Sequence, residues 1–168
     1  MDRILPGLLM LAIIVVVFAL IWLGWRNRLR RQADVETLPR CPRNRGALAA
    51  AEGQYVATTT GGDWLDRIAV QGLGIRTNAT LSLYPHGVLF ARDGAPDLYI
   101  PAAALVGVRQ DSGMAGKFVE KDGLLVLSWM LGTRELDTGF RTRHAADKDT
   151  LHLALQDLIA AADTTSGK

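Results

Sequence analysis

The chain of 168 residues is long enough for one domain of ordinary size and too short for two large ones. Its hydrophobic share of 49% and charged share of 21% exclude an intrinsically disordered chain and are high for a purely soluble domain. The net charge of +2 combines two opposite parts: residues 26–45 carry seven arginines against two acidic residues, whereas residues 46–168 carry eleven basic against fourteen acidic residues.

The first predicted element is a transmembrane helix over residues 4–25, which contain no charged side chain. At about 1.5 Å per residue, this stretch reaches about 33 Å, enough to cross a hydrocarbon core of about 30 Å. A cleavable signal peptide is the alternative, but its apolar core is shorter and follows positive charge. The absence of ionisable side chains within the segment indicates an anchor and not an ion path.

The charge imbalance across the helix predicts its orientation. Lysine and arginine accumulate on the cytoplasmic side, and here they follow the helix, so the N-terminus is expected outside and the remainder in the cytoplasm, at the plasma (inner) membrane. Residues 26–45 are interpreted as a basic juxtamembrane linker that also attracts anionic headgroups. The predicted membrane-surface contacts are Trp22, Trp25, Arg26, Arg28, Arg30 and Arg31.

Residues 46–163 are predicted to form a mainly β domain closed by one helix, with a flexible tail at residues 164–168. Seven or eight short β-rich runs at a spacing of 8 to 12 residues are typical of a sandwich or barrel. The helix is predicted from an apolar stripe of Leu151, Leu155, Leu158 and Ala162. The strand predictions are 54–60, 78–84, 88–92, 97–100, 105–109, 117–120, 124–131 and 135–143.

A seven- or eight-stranded antiparallel barrel capped by a C-terminal α-helix is the pleckstrin-homology (PH)-like architecture. The chain resembles an actinobacterial family of single-pass membrane proteins with a cytoplasmic bacterial PH-like domain, whose members often carry export or transporter labels. The resemblance implies a fold more than an activity, because its motifs are glycines and aromatic residues of structural type. They are residues 53–56 (GQYV), 62–67 (GDWLDR), 72–74 (GLG), 100–101 (IP), 115–117 (AGK) and 137–141 (DTGFR).

No residue pattern predicts catalysis, a cofactor or a metal. The single cysteine, Cys41, excludes an internal disulfide, and it lies in the linker without a general base beside it. His86, His144 and His152 are dispersed and are interpreted as surface residues. The run at residues 113–117 (GMAGK) departs from a phosphate-binding loop, which needs glycine at position 111 and serine or threonine at position 118.

Phosphoinositides and nucleic acid are not expected partners of the domain. PH domains that bind phosphoinositides carry lysines and arginines in the first loop, whereas the corresponding residues 58–66 (TTTGGDWLD) contain two aspartates and no base. Nucleic acid is disfavoured by the acidic charge of the domain. An unknown membrane or cytoplasmic protein remains as the expected partner besides the lipid bilayer.

Trp64, in this predicted long first loop, is the candidate partner contact; the alternative is a tryptophan that folds back over one end of the barrel. The sequence thus predicts a membrane-anchored, non-catalytic scaffold or adaptor that recruits or stabilises protein partners at the cytoplasmic face. The alternative is an accessory subunit of a membrane transporter or export system.

Overall fold

The chain forms two compact units in a computed structural model, Met1–Asp34 and Val35–Lys168. The structure describes residues 4–31, 37–40, 42, 46–114, 116–118 and 123–166. Cys41 and residues 119 and 120 of a predicted strand lie outside this part of the chain. The second unit begins at Val35, earlier than the predicted domain start at residue 46.

The first unit contains one long helix, α1 (Ile4–Arg31), which continues past Trp25 into the basic segment. Its part Pro6–Gly24, with a mean hydropathy of 2.9, is long and apolar enough to cross a membrane. The guanidinium carbon of Arg26 lies 5.1 Å from the centroid of the Trp22 ring, an arrangement suited to the headgroup level. Length and hydropathy therefore favour membrane anchoring. The side chains of Trp25, Arg28, Arg30 and Arg31 lie outside the described residues.

The second unit is mainly β, as predicted, with ten strands, two short 3-10 turns (Val70–Gly72 and Ala102–Ala104) and one C-terminal helix among the described residues. Strands form here because β-branched and aliphatic side chains alternate with exposed ones between glycine-containing turns. The elements are β1 (Ala49–Thr60), β2 (Asp63–Arg67), β3 (Thr77–Tyr84), β4 (Gly87–Arg92), β5 (Leu98–Pro101), β6 (Leu105–Asp111), β7 (Gly113–Met114), β8 (Lys117–Phe118), β9 (Leu124–Leu131), β10 (Arg134–Thr142) and α2 (Ala145–Ser166).

Eight of these strands form one antiparallel sheet in the order β5-β4-β3-β1-β10-β9-β6, with β2 paired to β1. The predicted barrel is not closed by hydrogen bonds, because no ladder among the described residues joins the terminal strands β5 and β6. The 3-10 turn Ala102–Ala104 connects β5 to β6 along the chain. Helix α2 packs against this turn and against β6, as expected for a capping helix.

The core lies between the curved sheet and α2. Phe90 makes edge-to-face contacts with Tyr55 and Phe140, each at a centroid distance of 5.8 Å. Three residues of the predicted helical stripe, Leu151, Leu155 and Leu158, are buried, and Ala162 packs against the same core. The helix also extends to Ser166, into the predicted tail.

Two segments differ from the sequence prediction at the start of the domain. The predicted long first loop is a tight turn at Gly61 and Gly62, because Thr58 to Thr60 belong to β1 and Asp63–Arg67 forms β2. Leu38, in the predicted linker, packs against the core, and its backbone N–H donates to Gln71 Oε1 at 3.1 Å. Part of the predicted linker is thus an integral piece of the domain.

Candidate functional site

A pocket of about 330 Å³ lies beside β2, on the outer face of the sheet. Strands β1, β10 and β9 provide its floor, and the end of β6 and β7 provide one wall. We name it the Trp64 pocket, after the one tryptophan that lines it. Its lining residues are Thr59, Gly62, Trp64, Arg109, Asp111, Ser112, Gly113, Met114, Val126 and Asp137.

Asp137 occupies the floor of the Trp64 pocket, and its side chain is only 5% exposed. Arg109 donates from Nη1 to Oδ1 at 3.2 Å and from Nη2 to Oδ2 at 2.9 Å. Ser128 donates from Oγ to Oδ1 at 2.6 Å, and the backbone N–H of Gly62 donates to Oδ2 at 3.3 Å. A buried carboxylate needs such donors, because a charge without them would be costly to bury.

At Asp137, the effects of charge and hydrogen bonding on the pKa oppose the effect of burial. Burial alone would raise the pKa of Asp137, but the hydrogen bonds from Arg109 and Ser128 and the guanidinium charge outweigh it and hold the pKa below its usual range. The hydrogen bonds to Asp137 likewise raise the pKa of Arg109. Both groups are therefore charged near neutral pH, and Asp137 is not suited to act as a general acid or base there.

The strand register brings these residues together on one face. Asp137 lies directly opposite Ser128 on β9 and opposite Thr59 on β1, so the three side chains share a face of the sheet. Arg109 on β6 lies opposite Val126 on β9, two residues from Ser128 and thus on the same face. The positions of these four side chains are consequently fixed by the hydrogen-bonded strands β1, β10, β9 and β6.

A buried chain of hydrogen bonds stiffens the sheet from the core side. Trp129 Nε1 donates to Thr138 Oγ1 at 2.9 Å, and Thr138 Oγ1 lies 2.8 Å from Thr58 Oγ1. The Tyr55 hydroxyl lies 2.6 Å from Thr58 Oγ1 and donates to the Leu73 carbonyl at 2.9 Å. Burial raises the pKa of Tyr55 to about 12, so its hydroxyl stays protonated. The residues behind the pocket floor are therefore held in fixed positions.

Thr59 brings an unsatisfied polar atom to the pocket. The residue is fully buried, and its Oγ1 has no hydrogen-bond partner among the described residues. A buried hydroxyl without a partner is uncommon and costs free energy. Because this oxygen has almost no accessible surface, it is an unsatisfied part of the pocket floor and not a contact offered to a guest.

Met114 and Val126 provide the apolar part of the lining. They form a small buried cluster with Val56 and Leu124 on the outer face of the sheet. Gly139 makes room for this cluster, because a Cβ atom there would collide with Met114 Sδ. The glycine of the DTGFR motif is thus explained by the packing of Met114 over the sheet.

Trp64 lies at the mouth of the pocket and is 42% exposed. It belongs to β2 and not to a loop. The turn that precedes β2 is held to β10, because the Gly61 N–H donates to the Glu135 carbonyl at 2.9 Å, and Gly62 adopts a φ of 75° that favours glycine. Of the residues predicted as contacts, Trp22 and Arg26 lie together on α1, whereas Trp64 lies in the second unit.

A second, larger groove of about 860 Å³ is lined by polar side chains from β1, β3, β10 and the start of α2. It is wide, and the exposed pair Arg143 and Glu52 already meet across it, with Nη1 and Oε2 2.9 Å apart. Among the described residues, no group of three histidine, cysteine or carboxylate side chains is placed to hold a metal ion. Of these two described sites, we regard the Trp64 pocket as the better one, because it combines an exposed tryptophan with a fixed polar floor.

Sequence reasoning selected Trp64 but missed the pair of Arg109 and Asp137. These two residues are 28 positions apart, and only the register of β6, β9 and β10 brings them together. The available signal was Asp137 itself, a charged residue that directly follows Leu136 within the strand prediction 135–143. A buried carboxylate needs a cationic or polar partner.

The second unit matches a known family. A family model described as "Bacterial PH domain-like" matches residues 35–156, well over half of the chain. Its start agrees with the start of the compact unit at Val35. A crystal structure of the C-terminal domain of an unknown protein from Leishmania infantum is similar at 11% identity and a TM-score of 0.41, over 83% of this chain and 98% of that one. No curated protein matches the chain.

Proposed function

The chain belongs to the bacterial PH domain-like family, and from that premise we propose that it is a membrane-anchored, non-catalytic adaptor that holds a protein partner at the cytoplasmic face. The observation that carries this proposal is the exposed ring of Trp64 over a pocket with a fixed floor. Tryptophan is enriched among the residues that dominate protein interfaces, and it contributes most where the surrounding surface is already organised.

Membrane attachment supports the adaptor role. An anchor restricts the domain to a thin layer beside the bilayer and thereby raises its effective concentration toward other membrane-bound proteins. The arginines after the apolar part of α1 support an orientation with the domain in the cytoplasm. A reporter that is active only outside the inner membrane, fused after Lys168, is expected to stay silent; reporter activity would overturn this orientation.

The experiment that tests the proposal is site-specific photocrosslinking in native membranes. A benzophenone side chain is placed at position 64 of the full chain and, as the matched control, at position 65. Leu65 is also exposed, at 61%, but successive strand residues point to opposite faces, and Leu65 does not line the pocket. We expect one dominant protein adduct at position 64 that is weak or absent at position 65.

The identity of the adduct separates the two functional classes. A soluble or single-span partner supports the adaptor, whereas a multi-span transporter as the dominant stoichiometric partner supports the accessory subunit instead. Equal adducts at both positions, or none specific to position 64, would contradict the assignment of the Trp64 pocket as the contact surface.

A further inference from the structure

The segment that leads from the basic region into the domain is attached to the domain well before β1 begins. Leu38 packs against the main core cluster, and Pro39 beside it is partly buried. The backbone N–H of Leu38 donates to Gln71 Oε1 at 3.1 Å. We call Leu38 and Pro39 the entry segment, because the chain that leaves α1 joins the domain there.

The entry segment is received by the 3-10 turn Val70–Gly72, which we call the receiving turn. Gln71 adopts a left-handed conformation (φ 55°, ψ 22°) that residues with a Cβ atom rarely adopt. The Gly72 carbonyl accepts from Arg92 Nη1 at 2.8 Å. Arg92 is only 5% exposed, and its guanidinium carbon lies 4.6 Å from the centroid of the Tyr55 ring. The backbone that carries the Gln71 side chain is therefore held in place by a buried arginine.

The receiving turn and the start of β1 lie at opposite ends of the sheet. The receiving turn is next to the β4–β5 turn, since a Cβ atom at Gly72 would lie 3.5 Å from Pro96 Cδ. The start of β1 is next to the β3–β4 turn, where the Leu48 N–H donates to the Leu83 carbonyl at 2.8 Å. The six residues of β4 separate these two ends by about 20 Å. The chain thus joins the domain at one end and starts the sheet at the other.

The entry segment also sets the length of the connection between α1 and the domain. Helix α1 ends at Arg31, so residues 32–37 lead to Leu38 and span at most about 25 Å. Without the contacts of the entry segment, the connection would run to Leu48 and could span about 60 Å. A domain of about 130 residues is about 35 Å across. The short connection therefore prevents the domain from turning over, whereas the long one would allow it.

We infer that the docked entry segment keeps the receiving-turn end of the domain toward the bilayer. This inference depends on the membrane anchor and not on a protein partner. Release of the entry segment would move the point of attachment to the start of β1 and let the domain reorient. The contact between Leu38 and Gln71 thereby controls which end of the domain lies beside the bilayer.

The test measures fluorescence energy transfer from the domain to the bilayer. The full chain is placed in phosphatidylcholine nanodiscs that contain a dilute acceptor-labelled lipid, and its one cysteine is removed by Cys41→Ser. A donor dye is attached at Asp93→Cys in the β4–β5 turn or at Pro85→Cys in the β3–β4 turn, both at exposed residues. We expect transfer from position 93 to exceed transfer from position 85 by at least about two-fold, because about 20 Å separates the two ends.

Two substitutions weaken the contact of the entry segment in different ways. Leu38→Asp places a charge against the core, and Gln71→Gly removes the acceptor of the Leu38 N–H while it suits the left-handed backbone. Thr37→Asp adds the same charge at the exposed neighbouring residue and is the matched control. We expect transfer from the two positions to become nearly equal in Leu38→Asp, to change less in Gln71→Gly and to stay unchanged in Thr37→Asp. Near-UV circular dichroism checks that each domain is folded, and Gln71→Gly decides the comparison if Leu38→Asp unfolds it.

Several outcomes would overturn the inference. Without these three substitutions, equal transfer from positions 93 and 85, or greater transfer from position 85, would show that the receiving-turn end is not toward the bilayer. An unchanged ratio in both Leu38→Asp and Gln71→Gly, or an equal change in Leu38→Asp and Thr37→Asp, would show that the entry segment does not control the orientation. Absence of transfer from both positions would refute the membrane anchor on which the inference depends.

Discussion

Replacing Asp137 by asparagine tests whether the buried carboxylate holds the pocket floor together. Asparagine has nearly the same shape, but only one of its two terminal atoms accepts hydrogen bonds. The carboxylate accepts four bonds, two of them from Arg109. At least one donor thus loses its acceptor, and the charge-assisted bonds to Arg109 become ordinary ones.

The expected loss of unfolding free energy is about 2 kcal/mol. Hydrogen bonds to a charged group contribute about 1.5–3 kcal/mol each, but they are not additive here. Arg109 is 45% exposed and can recover hydration in the variant, which keeps the cost toward the lower part of that range. For a domain of this size, about 2 kcal/mol corresponds to a fall in the thermal midpoint of about 6–12 °C.

Denaturant unfolding of the full chain in detergent, followed by near-UV circular dichroism, measures this difference. Because the pKa of Asp137 is lowered in the folded state, its stabilising contribution is present above the unfolded pKa of about 3.9 and is lost as the pH falls through the folded value. The difference between wild type and Asp137→Asn should therefore be full at pH 7 and shrink below about pH 4. Asp93→Asn, at an exposed turn, is the control and should change stability by less than about 0.5 kcal/mol. A difference at pH 7 as small as that of the control, or one independent of pH, would refute the reasoning.

Three further predictions concern the buried hydrogen bonds, the close contact between β1 and β10, and the membrane surface. Thr138→Val leaves the buried Trp129 Nε1–H without an acceptor and should lower the free energy of unfolding by about 2–3 kcal/mol. Tyr55→Phe should lower it by only about 1 kcal/mol, because the Leu73 carbonyl keeps its bond from the Thr58 N–H. Equal losses of the two variants in chemical denaturation would contradict the hydrogen-bond chain. Gly53→Ala should lower the free energy of unfolding by about 3 kcal/mol, since its Cβ would collide with the Arg141 carbonyl oxygen and lie 2.6 Å from Phe140 Cζ. Gly107→Ala, with open space around the site, is the control and should be near neutral. A tolerated Gly53→Ala would show that β1 and β10 are less closely packed. A protein of residues 26–168 should bind anionic vesicles in sedimentation assays, and binding should weaken as salt shortens the Debye length below about 8 Å. Binding should be abolished by glutamine in place of Arg26, Arg28, Arg30 and Arg31. Undiminished binding by this variant would show that the domain itself recognises lipid.

The sequence predicted the strands that have a clear local pattern, either a continuous apolar run, as in β9, or regular alternation, as in β3. The bounds of β9 (Leu124–Leu131) agree with the prediction, and the hairpin of β3 and β4 agrees within one residue at each end. The buried stripe of α2 was predicted from its helical period alone. These elements are recognisable because a local sequence pattern coincides with burial in them: an apolar run in β9, and a period in β3 and α2.

The elements that sequence reasoning missed depend on contacts distant in the chain. Strand β2 contains two aspartates, which are rare in strands, and it forms because it pairs with the end of β1. Trp64 was therefore identified as a contact residue but was placed in a loop. The pocket beneath it was not predictable, because its floor depends on a register in which Arg109 and Asp137 meet across three strands.

The central claim, that Trp64 and its pocket hold a protein partner, is tested most directly by the affinity of the purified full chain for the protein crosslinked at position 64. Trp64→Ala should raise the dissociation constant at least about 10-fold, as for a tryptophan that dominates an interface, because the exposed ring is lost while the pocket floor remains. Leu65→Ala, on the opposite face of β2, should change it by less than about two-fold. Equal affinities of wild type and Trp64→Ala, or equal losses in the two variants, would contradict the claim.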